Sequence, residues 1–262
     1  MIDLRLPLSL ASGYRSPSQI VRVVTENWTA NHVACPACAQ HITKAPNNSP
    51  GLDFVCASCK LSFELKSKCG PFGNKLVDGA YQSMISKIAD GTQSNFFLLS
   101  YDREFVVTNL VLVPRRFIVP EIIECRRPLA ENARRAGWIG CNLRISLLPS
   151  SGKITYVRDK QVISAKDISN HWQHSAFLDG VAAPSRSWLI AVMRCVEKIN
   201  KDCFNIQEAY EFVTYLQSIF PDNKHVKAKI RQQLQVLRDK GWLRFLGNGK
   251  YERRSQYLTI DN

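Results

Sequence analysis

Four of the nine cysteines form two Cys-x-x-Cys pairs that are separated by 17 residues. Two such pairs supply four thiolates, which complete the tetrahedral shell of a structural zinc ion. A complete shell leaves no open position for a substrate, so we predict a structural rather than a catalytic metal. The predicted ligands are Cys35, Cys38, Cys56 and Cys59.

Other interpretations of these cysteines stay open at this stage. They could form two disulfides or be unrelated core residues, and His32 or His41 could replace one thiolate. The odd cysteine count and an N-terminus unlike a secretory signal argue against a disulfide framework. We therefore expect a reducing compartment.

The charge of the chain indicates a polyanionic partner. Lys and Arg number 35 and Asp and Glu 22, for a formal net charge of +13. Nucleic acid is the first expectation and an acidic membrane surface the second. The longest apolar runs are too short to span a bilayer, so we expect no membrane insertion.

Two carboxylates and an amine flank the second cysteine pair. Asp53 precedes it, and Glu64 and Lys66 follow it on a segment that alternates like a strand. If the pair forms the turn of a hairpin, Asp53 and Glu64 lie within about one residue of direct opposition. Carboxylates suit Mg²⁺, and an adjacent Lys can orient a water for attack on phosphorus. The alternative is a solvent-facing strand with an incidental Glu–Lys pair.

The rest of the N-terminal region alternates between helical and strand patterns. We predict helices near 20–28 and 76–89 and strands at 61–68, 95–100, 105–113 and 154–157. Small residues with Pro and Gly over 179–187 are typical of a linker. These patterns indicate a mixed α/β (α+β) domain over 1–183.

Residues 184–262 show the order of a winged helix-turn-helix. A helix near 189–199 is followed by the capping-box pair Asn205 and Glu208, a third helix from about 224, and a hairpin over 241–251. From 223 to 254 there are ten Lys or Arg against two Asp or Glu. The third helix is either a DNA recognition helix or a basic solvated helix. Its candidate DNA-binding residues are Lys224, His225, Lys227, Lys229, Arg231, Gln232 and Gln235.

A second basic segment contains Arg134 and Arg135 beside Trp138. Arginines position phosphates, and an indole offers a flat apolar face to a base. The alternative is that Trp138 belongs to the core and the arginines to a solvated surface.

Several runs resemble the DpnI-like methyl-directed (type IIM) restriction endonucleases of the PD-(D/E)xK nuclease superfamily. Asp53 with Glu64 and Lys66 matches the nuclease pattern, with Gly51 and Leu52 in place of the nominal proline. The four cysteines add to the likeness, as do runs at 63–68, 78–81, 133–142 and 229–235.

The resemblance implies a Mg²⁺-dependent type II deoxyribonuclease that makes double-strand breaks at GATC sites carrying N6-methyladenine. It implies a PD-(D/E)xK catalytic core with an embedded zinc site and a winged helix that reads the methylated site independently. It favours a methyl-reading role for Trp138, and it makes Glu26 either an additional site carboxylate or a plain surface residue.

Together the residues and the resemblance predict Mg²⁺ and Zn²⁺ as cofactors, no small-molecule cofactor, and a monomer that binds adenine-methylated duplex DNA. The resemblance also implies a location in the cytoplasm of a prokaryotic cell. The competing hypothesis is a non-catalytic transcriptional regulator in which a zinc ribbon joins a winged helix. It explains the charge and the cysteines but not the grouping of Asp53, Glu64 and Lys66. An RNA-binding zinc protein would need interleaved aromatic residues, which the sequence does not offer.

Overall fold

The computed structural model of the chain describes residues 2–46, 49 and 51–254. Helices and strands alternate in the N-terminal part, and helices dominate the C-terminal part. The α-helices of the described residues are α1 (Pro17–His32), α2 (Tyr81–Asp90), α3 (Ala165–His174), α4 (Ala183–Ile199), α5 (Ile206–Tyr210), α6 (Val213–Ile219) and α7 (Val226–Asp239). The strands are β1 (Ile42–Lys44), β2 (Phe54–Cys56), β3 (Ser62–Cys69), β4 (Leu76–Ala80), β5 (Asn95–Tyr101), β6 (Val107–Val113), β7 (Ile123–Cys125), β8 (Gly140–Leu143), β9 (Ile154–Arg158), β10 (Gln161–Val162), β11 (Cys203–Asn205), β12 (Leu243–Gly247) and β13 (Lys250–Arg253).

A mixed seven-stranded sheet forms the centre of the N-terminal part. Its strand order is β1-β2-β3-β5-β6-β9-β10, with β3 and β5 parallel and the other neighbours antiparallel. Every residue of β5 is buried, as expected for a central strand covered on both faces. The predicted strands at 61–68, 95–100, 105–113 and 154–157 are confirmed, and so is the first helix, which extends to His32.

The central sheet separates two hydrophobic cores because side chains alternate along β5. Phe97 and Leu99 pack in one core with Trp28 of α1. Phe96 and Leu98 pack in the other core, which also contains residues of α2 and of the C-terminal helices. The face of β3 that carries Glu64 and Lys66 is therefore turned away from α1, since Phe63 and Leu65 belong to the α1 side.

The predicted helix over 76–89 is wrong in its first part. Residues 76–80 form strand β4, and the helix begins only at Tyr81. Strand β4 pairs with β8, which pairs with β7, in a separate three-stranded sheet of order β4-β8-β7. Long-range pairing with β8 therefore overrides the local spacing of apolar residues, which fits a helix equally well.

The C-terminal part has the predicted order of helices followed by a hairpin. Asn205 and Glu208 form the predicted capping box at the start of α5, and β11 joins the wing strands in a sheet of order β11-β13-β12. The apolar stripe of α7 is buried, as predicted: Val226, Ile230, Leu234 and Leu237. The predicted linker over 179–187 is shorter in the structure, because α4 already begins at Ala183.

The C-terminal helices pack directly on the N-terminal part. Residues of α4 and α7 belong to the same hydrophobic core as residues of β4 and β8 and as Phe96 and Leu98 of β5. The Glu197 carboxylate on α4 accepts hydrogen bonds from the backbone N–H groups of Ser150 and Ser151 at 2.5 and 3.1 Å. Ser187 donates to Glu121 at 2.6 Å. None of the described helices is long and apolar enough to cross a membrane.

Candidate functional site

The hairpin formed by β2 and β3 brings Asp53 and Glu64 together. Phe54 pairs with Phe63 and Val55 with Ser62, and continuing this register by one residue sets Asp53 opposite Glu64. The Asp53 N–H donates to Phe63 O at 2.9 Å. The juxtaposition expected from the sequence is thus present in the structure.

Lys66 lies between two carboxylates. Its Nζ is 2.5 Å from Glu64 Oε1 on the same strand and 2.7 Å from Asp78 Oδ1 on β4. The side chains of Lys66, Glu64 and Asp78 are 24%, 15% and 8% exposed, so the cluster is largely shielded from water. Asp78 is a neighbour of the site that the sequence does not reveal, because the apolar spacing around it predicts a helix and not strand β4.

The cluster holds more negative than positive charge. Burial raises the pKa of the Glu64 carboxyl, and repulsion from Asp78 and Asp53 adds to this effect, while Lys66 opposes it. Burial also raises the pKa of Asp53, against the lowering effect of a 2.7 Å hydrogen bond from the Leu65 N–H to its Oδ2. Burial lowers the pKa of Lys66, but the attraction of Glu64 and Asp78 outweighs it, and the net shift is upward.

This donor set fits a hard divalent cation. Asp53 lies opposite Glu64 on the hairpin and Lys66 bridges Glu64 and Asp78, while the raised pKa values of Asp53 and Glu64 reflect mainly burial, with repulsion from neighbouring carboxylates. Carboxylate oxygens are the ligands that Mg²⁺ prefers. Asp53 and Glu64 are the residues that could hold such an ion, because they lie opposite each other at the end of the hairpin.

Two further charged side chains border the cluster. A Cβ atom at Gly51 would lie 2.5 Å from Lys87 Nζ and 3.5 Å from Glu64 Oε2, so the amine of Lys87 on α2 is a neighbour of Glu64 that the sequence did not reveal. Glu26 on α1 acts electrostatically on Asp53, raising its pKa. Glu26 is also paired with Arg22 at 2.6 Å, so its position fits a supporting carboxylate on the edge of the site.

The four predicted zinc ligands converge at the turn of the hairpin. Their four sulfur atoms lie within 4.8 Å of one another. Cys35 Sγ is 3.5 Å from Cys59 Sγ, and Cys38 Sγ is 3.4 Å from Cys56 Sγ. A tetrahedral zinc with Zn–S bonds of about 2.3 Å separates its sulfurs by about 3.8 Å, so the cluster could hold zinc with little adjustment.

The two cysteine pairs have the same local backbone. The Ala39 N–H donates to Cys35 O at 2.9 Å, and the Lys60 N–H donates to Cys56 O at 3.0 Å. Ala39 and Lys60, which each follow the second cysteine of a pair, have left-handed φ values of 57° and 62°. All nine cysteines are free, which argues against the disulfide interpretation.

The two histidines considered as substitute ligands lie outside the sulfur cluster. The ring of His32 stacks on Trp28 with its Nδ1 2.9 Å from Trp28 O, and His41 is exposed. Among the described residues, the group of three or more possible ligands that lie close enough together to hold a metal ion consists of the four cysteines.

Trp138 lies on the exposed loop that joins β7 and β8. Its side chain is only partly buried, which argues against the alternative that it is a core residue. The Arg135 guanidinium lies 4.8 Å from the centre of its ring. Arg134 and Arg135 are exposed. The loop is close to the carboxylate cluster, because Asp78 pairs with Cys141, three residues beyond Trp138.

The predicted DNA-binding residues lie on the open side of α7 and just before it. All of them are exposed except Lys229, which is half-buried: Lys224, His225, Lys227, Lys229, Arg231, Gln232 and Gln235. The Lys227 amine also lies 5.8 Å from the ring of Tyr210. This surface is available for a polyanionic partner.

Comparison with known families agrees with both parts of the chain. The DpnI family model, described as the Dam-replacing family, matches residues 2–180. The DpnI_C model, described as the Dam-replacing HTH domain, matches residues 184–253. The first match covers the hairpin, the four cysteines and the Trp138 loop, and the second covers α7 and the wing. This chain therefore belongs to the DpnI-type Dam-replacing family of methyl-directed restriction endonucleases.

Proposed function

We propose that this chain makes double-strand breaks at GATC sites whose adenine carries an N6-methyl group, by metal-dependent hydrolysis of phosphodiester bonds. The observation that supports this proposal most directly is the meeting of Asp53, Glu64 and Lys66 on one hairpin, partly shielded from water. A non-catalytic DNA-binding protein has no use for buried carboxylates with unbalanced charge, which cost folding free energy.

In this proposal Asp53 and Glu64 hold the catalytic Mg²⁺ with their carboxylate oxygens. When bound there, the metal would supply a Lewis acid that offsets the negative charge developing on the phosphate oxygens. Lys66 donates hydrogen bonds from its ammonium group and so orients the water that attacks the scissile phosphate. The hydrogen bond from the Leu65 N–H fixes one oxygen of Asp53 and leaves the other available.

The zinc ion is proposed as a structural element of the catalytic hairpin. The pair Cys56 and Cys59 forms the turn between β2 and β3, while Cys35 and Cys38 connect that turn to the end of α1. Crosslinking the turn restricts both strands, and so fixes the separation of the residues that they carry.

DNA recognition is proposed to be divided between two units, residues 1–183 and 184–262. In the first, Arg134 and Arg135 contact phosphates, and the partly exposed face of Trp138 contacts the apolar methyl group of the adenine. In the second, α7 enters the major groove, where glutamines pair with adenine and Lys or Arg with guanine or phosphate.

The test is cleavage by the full chain in Mg²⁺ of two plasmid preparations that differ only in adenine methylation at GATC. We expect cleavage of the methylated plasmid alone, and none when Mg²⁺ is omitted. D53N, E64Q and K66A should abolish cleavage while retaining DNA binding, since metal ligation and water orientation serve the reaction more than affinity. E104Q, which changes an exposed carboxylate outside the site, is the control. Equal cleavage of both plasmids, or near-normal cleavage by E64Q, would contradict the proposal.

A further inference from the structure

The amine of Lys66 has two carboxylate partners that belong to different sheets. Glu64 lies two residues before it on β3 of the central sheet, with Oε1 2.5 Å from Nζ. Asp78 lies on β4 of the three-stranded sheet, with Oδ1 2.7 Å from Nζ. Lys66 thus connects the two sheets through side-chain hydrogen bonds.

The two carboxylates that contact Lys66 differ in their other proposed contacts. Glu64 is a proposed ligand of the divalent cation, and an oxygen that binds the metal is a poorer acceptor for Lys66. Asp78 lies on β4, outside the hairpin, and is the most buried of the three, at 8% exposed. It can therefore keep its hydrogen bond to Lys66 while Glu64 binds the metal.

The backbone around Asp78 fixes the position of its carboxylate. Asp78 pairs with Cys141, and the register of β4 and β8 shifts between Asp78 and Ala80. Cys141 is fully buried, so this part of the strand is anchored in the core. The backbone of Lys66 is paired with Leu98 of β5 and its Nζ lies 5.7 Å from the centre of the Phe96 ring, but its side chain is long and flexible, so the position of the ammonium group depends on the partners that it meets.

From this geometry we propose that Asp78 is a positioning residue of the endonuclease. Its carboxylate holds the Lys66 ammonium group in place when Glu64 is engaged by the divalent cation. The proposal rests on the proposed nuclease function for its consequence in cleavage, but the Asp78–Lys66 interaction itself can be measured without any activity.

The kinetic test compares D78N, D78E and E124Q with the unmodified chain. Glu124 is the matched control, because it lies on β7 of the same small sheet and is paired with Lys75 at 2.7 Å, away from the cluster. Single-turnover cleavage of an adenine-methylated GATC duplex, its Kd without metal, and the Mg²⁺ concentration for half-maximal rate are measured for each. The affinity for DNA is measured separately because β4 pairs with β8, which follows the Trp138 loop, and a loss of DNA binding must not be mistaken for a loss of catalysis.

We expect D78N to slow single-turnover cleavage by about tenfold or more while Kd and the Mg²⁺ requirement stay within about threefold. D78E, which keeps the carboxylate, should recover part of the lost rate, and E124Q should cleave normally. D78S repeats the test if D78N does not fold.

The second measurement is thermal unfolding of K66M, D78N and the K66M/D78N double variant in metal-free buffer. If the two side chains interact, the changes in Tm of the single variants are not additive in the double variant. This measurement does not depend on cleavage. If the unmodified chain does not cleave methylated DNA, the proposed function is wrong, but the Tm values still show whether Asp78 and Lys66 interact.

Several results would overturn the inference. A D78N cleavage rate within about twofold of normal would show that Asp78 has no role in the site. Equal slowing of cleavage by E124Q would show that changes anywhere on the small sheet slow the reaction, and that the effect of D78N is not specific to Asp78. A D78N rate restored by about tenfold more Mg²⁺ would make Asp78 a metal ligand instead. Additive changes in Tm would show that Asp78 and Lys66 do not interact.

Discussion

Gly140 offers a way to move the Trp138 ring without removing it. A Cβ atom at Gly140 would lie 2.8 Å from both Cη2 and Cζ3 of Trp138 and 3.4 Å from Nη1 of Arg126. Gly140 does not have a left-handed backbone, so alanine is compatible with its φ. Carbon atoms in contact are normally about 3.5–4.0 Å apart, so G140A must displace the ring by about 1 Å.

The expected size of the effect follows from the apolar contact that the ring is proposed to make. Burying one methyl group stabilises a complex by about 0.8 kcal/mol, which is about fourfold in affinity for each methyl group. W138A should therefore lower the preference for methylated over unmethylated DNA by about fourfold or more. A gap of about 1 Å removes up to half of the energy of a dispersion contact, so G140A should lower the preference for methylated DNA by about twofold.

The assay is competitive cleavage by the full chain of equimolar methylated and unmethylated GATC duplexes that carry different labels. Gly73 provides the matched control, because a Cβ atom there meets nothing within 4 Å and its backbone is not left-handed. G73A should keep the normal ratio. A G140A ratio equal to that of the unmodified chain, with a lowered ratio for W138A, would refute the argument from ring position. An unchanged ratio for W138A would transfer methyl recognition to the winged helix.

Three other variants test the zinc cluster, the carboxylate cluster and the recognition helix. C59S should lower the zinc content and the Tm, because the binding of a structural metal contributes folding free energy. Elemental analysis and thermal unfolding check this, with C125S, which changes an exposed cysteine outside the cluster, as the control. A C59S variant that is fully loaded with zinc would contradict the prediction. In metal-free buffer E64Q should raise the Tm more at pH 8 than at pH 4. The pKa of Glu64 is raised in the folded chain mainly by burial, so its contribution to stability is present at low pH and lost as the carboxyl ionises; an equal or lower Tm at pH 8 would contradict this. R231A should weaken binding to methylated and unmethylated duplexes, and if Arg231 contacts a phosphate the slope of log K against log salt should fall by about one. An unchanged slope in a salt titration would argue for a base contact instead.

The parts of the site that are close in the sequence could be predicted from it. Asp53 and Glu64 are nearly symmetric about Cys56 and Cys59, so the pairing of the hairpin follows once those cysteines form a turn. The four ligands of the sulfur cluster follow from the same spacing.

The part of the site that depends on distant pairing could not be predicted. Asp78 reaches Lys66 because β4 pairs with β8, and nothing in the local sequence of β4 identifies that partner. The apolar residues near it fit helical spacing as well as a strand. Lys87 was missed for a related reason, since its approach to Gly51 depends on how α2 packs on the sheet.

The helices of the C-terminal part were predictable because their apolar stripes are regular, as along α7. The short connection before α4 was not, because Pro and small residues suit both a linker and the first turn of a helix. Pro184 lies in that first turn, where its missing N–H costs no hydrogen bond.

The two cores explain how the parts of the site are brought together. Asp53 and Glu64 are carried by the hairpin whose Phe54 and Phe63 pack in the core beside α1, together with the buried cysteines of the metal cluster. Asp78 is carried by the small sheet, whose buried residues pack in the other core together with α4 and α7. Loss of the four-cysteine cluster would therefore affect the carboxylates of the hairpin first. A change at the contact of α4 with the N-terminal part would reach the site through Asp78 and the Trp138 loop. Because Lys66 contacts both groups of residues, its position depends on the correct packing of both cores, so the C-terminal helices contribute to the support of the proposed catalytic site.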